Sequence, residues 1–231
     1  MPALKKSYLK IFIYTRIYFN VKEDKEEMKL LIFDFDGTIV NTKALYYSPV
    51  YKNVKRFGYS YKDVDRVIDM GANMRQTLRK LGLNPLVTLF MKRRVMKDVI
   101  KDLPKVKKCK DVDSIRELKQ EKILVTNSLK SAVYPLLKHF KLKKEFKKVY
   151  GFEDFVDKGK FLKEYIEKRG LDKNKVYYIG DRAADVKTAR KAGCVSVVIT
   201  GECAWDSKKE LLEQEPDFII HSIKDLKKIL R

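Results

Sequence analysis

The apolar run Leu30 to Phe35 ends in Asp34-Phe35-Asp36-Gly37-Thr38, which releases two carboxylates one residue apart. Strand alternation points Asp34 and Asp36 to one side, and Gly37 permits a sharp exit from the strand. Carboxylates this close resist joint ionisation, so they call for a cation or a shared proton. Ile179-Gly180-Asp181, followed by Asp185, repeats the arrangement at the end of a second apolar run. Hard oxygen ligands of this kind suit Mg²⁺. Thr126-Asn127-Ser128 offers hydroxyl and amide donors just ahead of a helix, where backbone N–H groups favour an anion. Lys158 and Lys160 place fixed cations before a further helix.

These residues need a scaffold that gathers them at one edge. From Met28 onward, short β-branched apolar runs alternate with amphipathic stretches, the pattern of a mostly parallel sheet with helices on its faces. The expected strands are Lys29 to Phe35, Lys122 to Thr126, Lys148 to Phe152, Val176 to Ile179, Val195 to Ile199 and Asp217 to Ile220. Helices are expected over Leu129 to Phe140, Lys160 to Arg169, Ala183 to Ala192, Lys208 to Glu213 and Ile223 to Leu230. In such open α/β sheets ligands bind beyond the carboxyl ends of the strands, where the acidic residues stand.

The alternation is broken between 43 and 110, where no convincing strand is read. Asn84-Pro85 supplies an N-cap and a first-turn proline, and apolar residues from Leu86 to Leu103 then recur at helical spacing until Pro104. The interval is read as a small all-helical domain inserted over the end of the sheet.

The order Asp34-Phe35-Asp36-Gly37-Thr38, Val125-Thr126-Asn127-Ser128, a Lys before a helix, and Ile179-Gly180-Asp181 with Asp185 resembles the four-motif signature of the haloacid dehalogenase-like hydrolases. The resemblance extends from Lys29 to Arg231. An insertion between the first and second motifs is similar to the helical cap of the phosphoglycolate phosphatase-like and β-phosphoglucomutase-like branch. It implies a Rossmann-like three-layer α/β core over 29–42 and 111–231, a helical cap over 43–110, and an N-terminal extension over 1–28.

Carried onto this chain, the resemblance makes Asp34 a nucleophile that forms an aspartyl-phosphate, splitting one hard displacement into two easier ones. Asp36 becomes the general acid/base, with its backbone carbonyl on Mg²⁺. Asp34 and Asp181 are the implied side-chain metal ligands, and Asp185 holds metal-bound waters or the phosphate-binding lysine. Thr126, Asn127 and Lys158 or Lys160 would stabilise the transferring phosphoryl group. Gly71-Ala72-Asn73-Met74-Arg75 matches the branch's substrate loop, with Asn73 for a hydroxyl and Arg75 for a carboxylate or second phosphate. The plainer alternative is that Gly71 ends one helix and Arg75 opens the next.

Two departures stand out. The third-motif lysine of the family is usually followed by Pro or Gly, which favours Lys158-Gly159, with the nearby Lys160 as the alternative. Many relatives read Leu-x-Asp-Ser after the first motif, whereas this chain has Ile39-Val40-Asn41-Thr42. Asp36 argues against dehalogenation, because a halide leaving group needs no proton. The implied reaction is Mg²⁺-dependent hydrolysis of small phosphate monoesters, such as phosphoglycolate or sugar phosphates, with phosphomutase chemistry as its nearest alternative.

Charge opens a different class of function. The 231 residues include 52 Lys and Arg against 31 Asp and Glu, a net of +21. Residues 43 to 110 hold 18 basic and 5 acidic residues, net +13, while 151 to 231 hold 17 and 15. A basic surface attracts nucleic acid, membranes or small phosphorylated molecules, and a polynucleotide-binding protein or phosphatase is the competing reading. No zinc-finger or RNP motif accompanies the charge. No apolar run reaches the roughly 20 residues of a membrane span, since Leu9 to Val21 is broken by Lys10 and Arg16. Cys109, Cys194 and Cys203 suggest neither a disulfide framework nor a metal site, which fits a reducing, cytoplasmic setting. Met28 precedes the first strand, so the residues ahead of it are read as an added element or an extension from an upstream start codon.

Overall fold

The computed structural model describes residues 29–68 and 74–230. Its centre is a strand of four apolar residues, β1 (Leu30–Phe33), buried on both faces. Leu30 and Ile32 face one layer and Leu31 and Phe33 the other, so the short run anchors two cores. Each such side chain taken from water contributes about 1.5 to 3 kcal/mol.

Around β1 lie β4 (Glu121–Val125), β5 (Lys148–Tyr150), β6 (Val176–Gly180), β7 (Val195–Ile199) and β8 (Phe218–Ile220), in the order β5-β4-β1-β6-β7-β8. Every pairing in this sheet is parallel. Leu162 and Ile166 of α6 (Lys158–Lys168), with Ala189 and Ala192 of α7 (Ala183–Ala192), cover one face. Val133 and Leu137 of α5 (Lys130–His139) and Leu226 of α9 (Leu226–Ile229) pack on the other. The short α8 (Lys208–Leu212) adds Leu211 against Val186 and Val198. The result is the three-layer, Rossmann-like α/β core expected from the alternation. The last helix differs from expectation: Ser222 caps a 3-10 turn over Ile223–Asp225, which then runs into α9.

Between β1 and β4 stands an inserted helical cap containing α1 (Lys43–Val54), α2 (Tyr61–Val67), α3 (Met74–Lys80) and α4 (Pro85–Asp102). Asn84 accepts from the Val87 N–H at 2.9 Å, with Pro85 in the first turn of α4, as the sequence predicts. Met91, Val95 and Val99 of α4 meet Val50 and Val54 of α1 in a core continuous with that under the sheet. One strand in the insertion escapes a reading by periodicity. Lys107 and Lys108 form β3, which pairs antiparallel with β2 (Val40–Asn41). Two residues are too few to show alternation, yet they join the outgoing and returning cap linkers in one ribbon. Ile39-Val40-Asn41-Thr42, unusual beside the family pattern, supplies the other half of that ribbon.

A second correction concerns the cysteines. Cys109 and Cys203 form a disulfide across 94 residues, with Cα atoms 5.9 Å apart, and Cys194 is buried and free. An odd count with no regular spacing conceals such a pair, because only folding brings the returning cap linker beside the segment after β7. Among the described residues, no helix is long and apolar enough to cross a membrane. The extension read over 1–28 lies outside the described residues.

Candidate active site

Because β4, β1 and β6 are neighbours, their carboxyl ends bring Thr126, Asp34 and Asp181 together. The Asp34 N–H continues the sheet by donating to Ile179 O at 2.8 Å. Gly37 then reverses the chain at φ +79°, and a Cβ at that position would overlap the Asp181 carboxylate. At Gly180 a Cβ would overlap Asp185. Both glycines are what lets two backbone segments approach the acidic cluster.

Asp34, Asp181 and Asp185 are buried, and each presents a ligand atom within 4.8 Å of the others. Asp181 is held from two sides: the Thr38 hydroxyl donates to Oδ1 at 2.9 Å and the Trp205 N–H to Oδ2 at 2.8 Å. Asp185 Oδ2 accepts from the N–H groups of Asp181 and Arg182, at 3.1 and 3.0 Å, capping α7. Its Oδ1 accepts from the Tyr178 hydroxyl at 3.1 Å. Lys158 Nζ lies 2.8 Å from Asp34 Oδ1 and 3.6 Å from Asp185 Oδ1. Lys160 is exposed, and its N–H bonds the N-cap Asp157. The structure thus places Lys158, and not Lys160, against the acidic cluster.

Three buried carboxylates beside one ammonium carry excess negative charge. Burial, with the neighbouring Asp185 and Asp36 charges, pushes Asp34 up to about 7 despite Lys158. Asp181 is driven well above the carboxylate range by burial and then by Asp185 and Asp34. Burial opposes the charge on Lys158, yet Asp34 and Asp185 outweigh it and raise its pKa. Such a donor set, all hard oxygens and short of positive charge, fits a divalent cation.

Asp36 belongs to a different corner. Its Oδ2 accepts from the Ser128 hydroxyl at 2.6 Å and lies 3.5 Å from the Thr126 hydroxyl. Burial raises its pKa, with Ser128 the strongest opposing influence. Thr126 Oγ1 also accepts from the Ser128 N–H at 3.0 Å, so this loop is bound inward. The expected anion at the start of α5 is an internal one: Glu153 accepts from the Lys130 N–H at 3.0 Å. Asn127 is half-buried in the loop between β4 and α5.

In the cap, Asn73 lies outside the described residues, and Arg75 is exposed in the first turn of α3. Sequence reasoning missed Tyr178, the pairing of Ser128 with Asp36, and Trp205. The last is the chain's single tryptophan, just after a strand end, which is a usable signal. Its carbonyl accepts from Lys43 Nζ at 2.9 Å, and its ring packs against Tyr46 and Tyr47 of α1. Beside it a cleft of about 880 Å³ opens between cap and core, where Lys43, Arg66, Lys80, Arg182 and Lys208 stand among the carboxylates of Asp65, Asp206 and Glu210.

A model of the haloacid dehalogenase-like hydrolases matches residues 31–199. The phosphoglycolate phosphatase of Synechococcus elongatus is 24% identical over 204 residues, which cover 86% of this chain and 95% of that protein. The phosphoglycolate phosphatase of Aliivibrio fischeri is 25% identical over 223 residues, covering 84% and 96%. The solved structure of a haloacid dehalogenase-like family hydrolase from Streptococcus pneumoniae aligns with a TM-score of 0.73 at 18% identity, covering 88% of this chain and 99% of that one. With strand-end carboxylates, a paired lysine and an inserted helical cap in one fold, the chain belongs to the haloacid dehalogenase-like hydrolases and is an enzyme of their metal-dependent phosphoryl-transfer chemistry, which runs through an aspartyl intermediate.

Proposed function

We propose that this enzyme is a Mg²⁺-dependent phosphatase of small phosphate monoesters, with phosphoglycolate as the first substrate to test and sugar phosphates as the second. The observation that carries the reading is Asp36, a second buried carboxyl with a raised pKa, held by Ser128 close to the nucleophilic strand end. An alkoxide leaving group needs a proton, and a carboxyl whose hold on its proton is strengthened by burial is suited to give one.

In the proposed reaction an Asp34 carboxylate oxygen bonds to phosphorus as the P–O ester bond breaks, and Asp36 protonates the departing alkoxide. Asp36, now ionised, takes a proton from water as that water attacks the aspartyl-phosphate, freeing Asp34 and inorganic phosphate. Lys158, Thr126 and the Asn127 backbone serve the phosphoryl oxygens. Asp34, Asp181 and the Asp36 carbonyl would hold Mg²⁺, with Asp185 bound to metal waters or to Lys158. The ion would supply positive charge between the carboxylate nucleophile and the phosphate.

The cleft between cap and core is of a size that takes small molecules; its five lysines and arginines outnumber its three carboxylates, which favours anionic ones, and it adjoins the acidic cluster through Trp205, whose N–H holds Asp181. The two phosphoglycolate phosphatases reported above put that substrate first. Hydrolysis of p-nitrophenyl phosphate and of a phosphorylated-metabolite panel, with and without Mg²⁺, tests the reading. Asp34→Asn is expected to abolish Mg²⁺-dependent turnover, and activity retained in that variant overturns it.

A further inference from the structure

Tyr178 sits at the centre of the site without a role in the reaction described above. It lies in β6, is 1% exposed, and faces the layer of α6 and α7, whereas its neighbour Tyr177 faces the opposite core. Its hydroxyl donates to Asp185 Oδ1 at 3.1 Å, and its ring centroid is 5.3 Å from Lys158 Nζ. We propose that Tyr178 is a positioning residue for phosphoryl transfer: it fixes the Asp185 carboxylate and gives the Lys158 ammonium one face to rest on, so that this cation stays beside Asp34.

The carboxylate needs both of its anchors. Asp185 Oδ2 is held by the N–H groups of Asp181 and Arg182, and Oδ1, the oxygen turned toward Lys158, accepts from the Tyr178 hydroxyl. With all three donors the carboxylate is held at both oxygens, and the oxygen that Tyr178 binds is the one 3.6 Å from Lys158 Nζ. A lysine side chain is a flexible four-carbon stem, and its ammonium keeps no preferred direction unless its neighbours impose one. Here Asp34 at 2.8 Å, Asp185 at 3.6 Å and the Tyr178 ring impose it from three sides. Phosphate approaching Asp34 competes for the same ammonium. A lysine held by Asp185 and Tyr178 remains in place when its bond to Asp34 is given up.

The proposal rests on Asp34 phosphoryl transfer, and its test separates the two. Tyr178→Phe keeps the ring and removes only the hydroxyl. Turnover of p-nitrophenyl phosphate and binding of inorganic phosphate by calorimetry are measured for the wild type, Tyr178→Phe, Asp185→Asn and the double variant, with Tyr177→Phe as control. Loss of one hydrogen bond to a charged acceptor is expected to lower kcat about tenfold and to weaken phosphate binding, at a nearly unchanged melting temperature. In the Asp185→Asn background the Tyr178→Phe change should have no further effect, because the residue acts through Asp185. Unchanged kcat in Tyr178→Phe, effects that multiply in the double variant, or an equal loss in Tyr177→Phe overturns the proposal. A wild type that neither turns over the ester nor binds phosphate overturns the phosphatase reading beneath it.

Discussion

Lys158 Nζ lies 2.8 Å from Asp34 Oδ1, joining the first turn of α6 to the end of β1 across 124 residues. Both side chains are about nine-tenths buried, so neither charge has water as a substitute partner. Removing one member of such a pair leaves the other desolvated and unbalanced. Lys158→Met is therefore expected to lower phosphatase kcat by roughly 100-fold or more, while Lys160→Met leaves it within about twofold because that side chain is exposed. Steady-state kinetics on the two variants checks this.

Ser128 and Asp36 form the second pair. The 2.6 Å bond stabilises the ionised carboxylate, which is the form that would activate water in the second step of the proposed reaction. Ser128→Ala should raise the Asp36 pKa further and move the acidic limb of the kcat profile to higher pH, with a loss of about three- to tenfold below the optimum. A pH profile with an unmoved acidic limb contradicts this.

Metal binding should be visible in stability as well as turnover. Asp34 titrates at about 7 in the folded, metal-free protein, against 3.8 for the free carboxyl, so the folded state holds its proton longer than the unfolded one. Stability of the metal-free protein should then fall as pH rises from about 4 to about 7. Mg²⁺ needs ionised carboxylates, so its stabilising effect should grow over the same window. Melting temperatures with Mg²⁺ or a chelator, measured at pH 5 and pH 8, test both trends.

The Cys109–Cys203 bond ties the returning cap linker to the segment that carries Trp205, whose N–H holds Asp181. Closing a loop of 94 residues stabilises by about 2 to 4 kcal/mol. A strong dithiol reductant should accordingly lower the melting temperature by on the order of 10 °C. Cys109→Ser should melt lower without reductant and be insensitive to it, and a wild type unaffected by reduction refutes the expectation.

How much of this was legible in one dimension follows from range. Leu30 to Phe33, Val176 to Gly180 and Val195 to Ile199 declare themselves as short apolar runs between amphipathic stretches, and Asp34 and Asp181 stand directly at strand ends. Parallel packing then puts those ends on one edge with no further information. Gly159 favours Lys158 without excluding Lys160, because both precede or open the same helix; two residues turn through about 200° on a helix, and only its orientation shows which side faces Asp34. The two-residue ribbon of β2 and β3 was hidden by its length.

Alternation, helix periodicity and the order of four motifs were enough to determine the layered core, the inserted cap and the acidic strand ends, since each depends on residues within a turn or a strand of one another. Tertiary structure alone decided that Lys158 reaches Asp34, that Ser128 holds Asp36, that Tyr178 and Trp205 support the remaining carboxylates, and that Cys109 meets Cys203. Those partners come from different strands and linkers, and no local rule fixes which side chains meet when two layers close over a common edge.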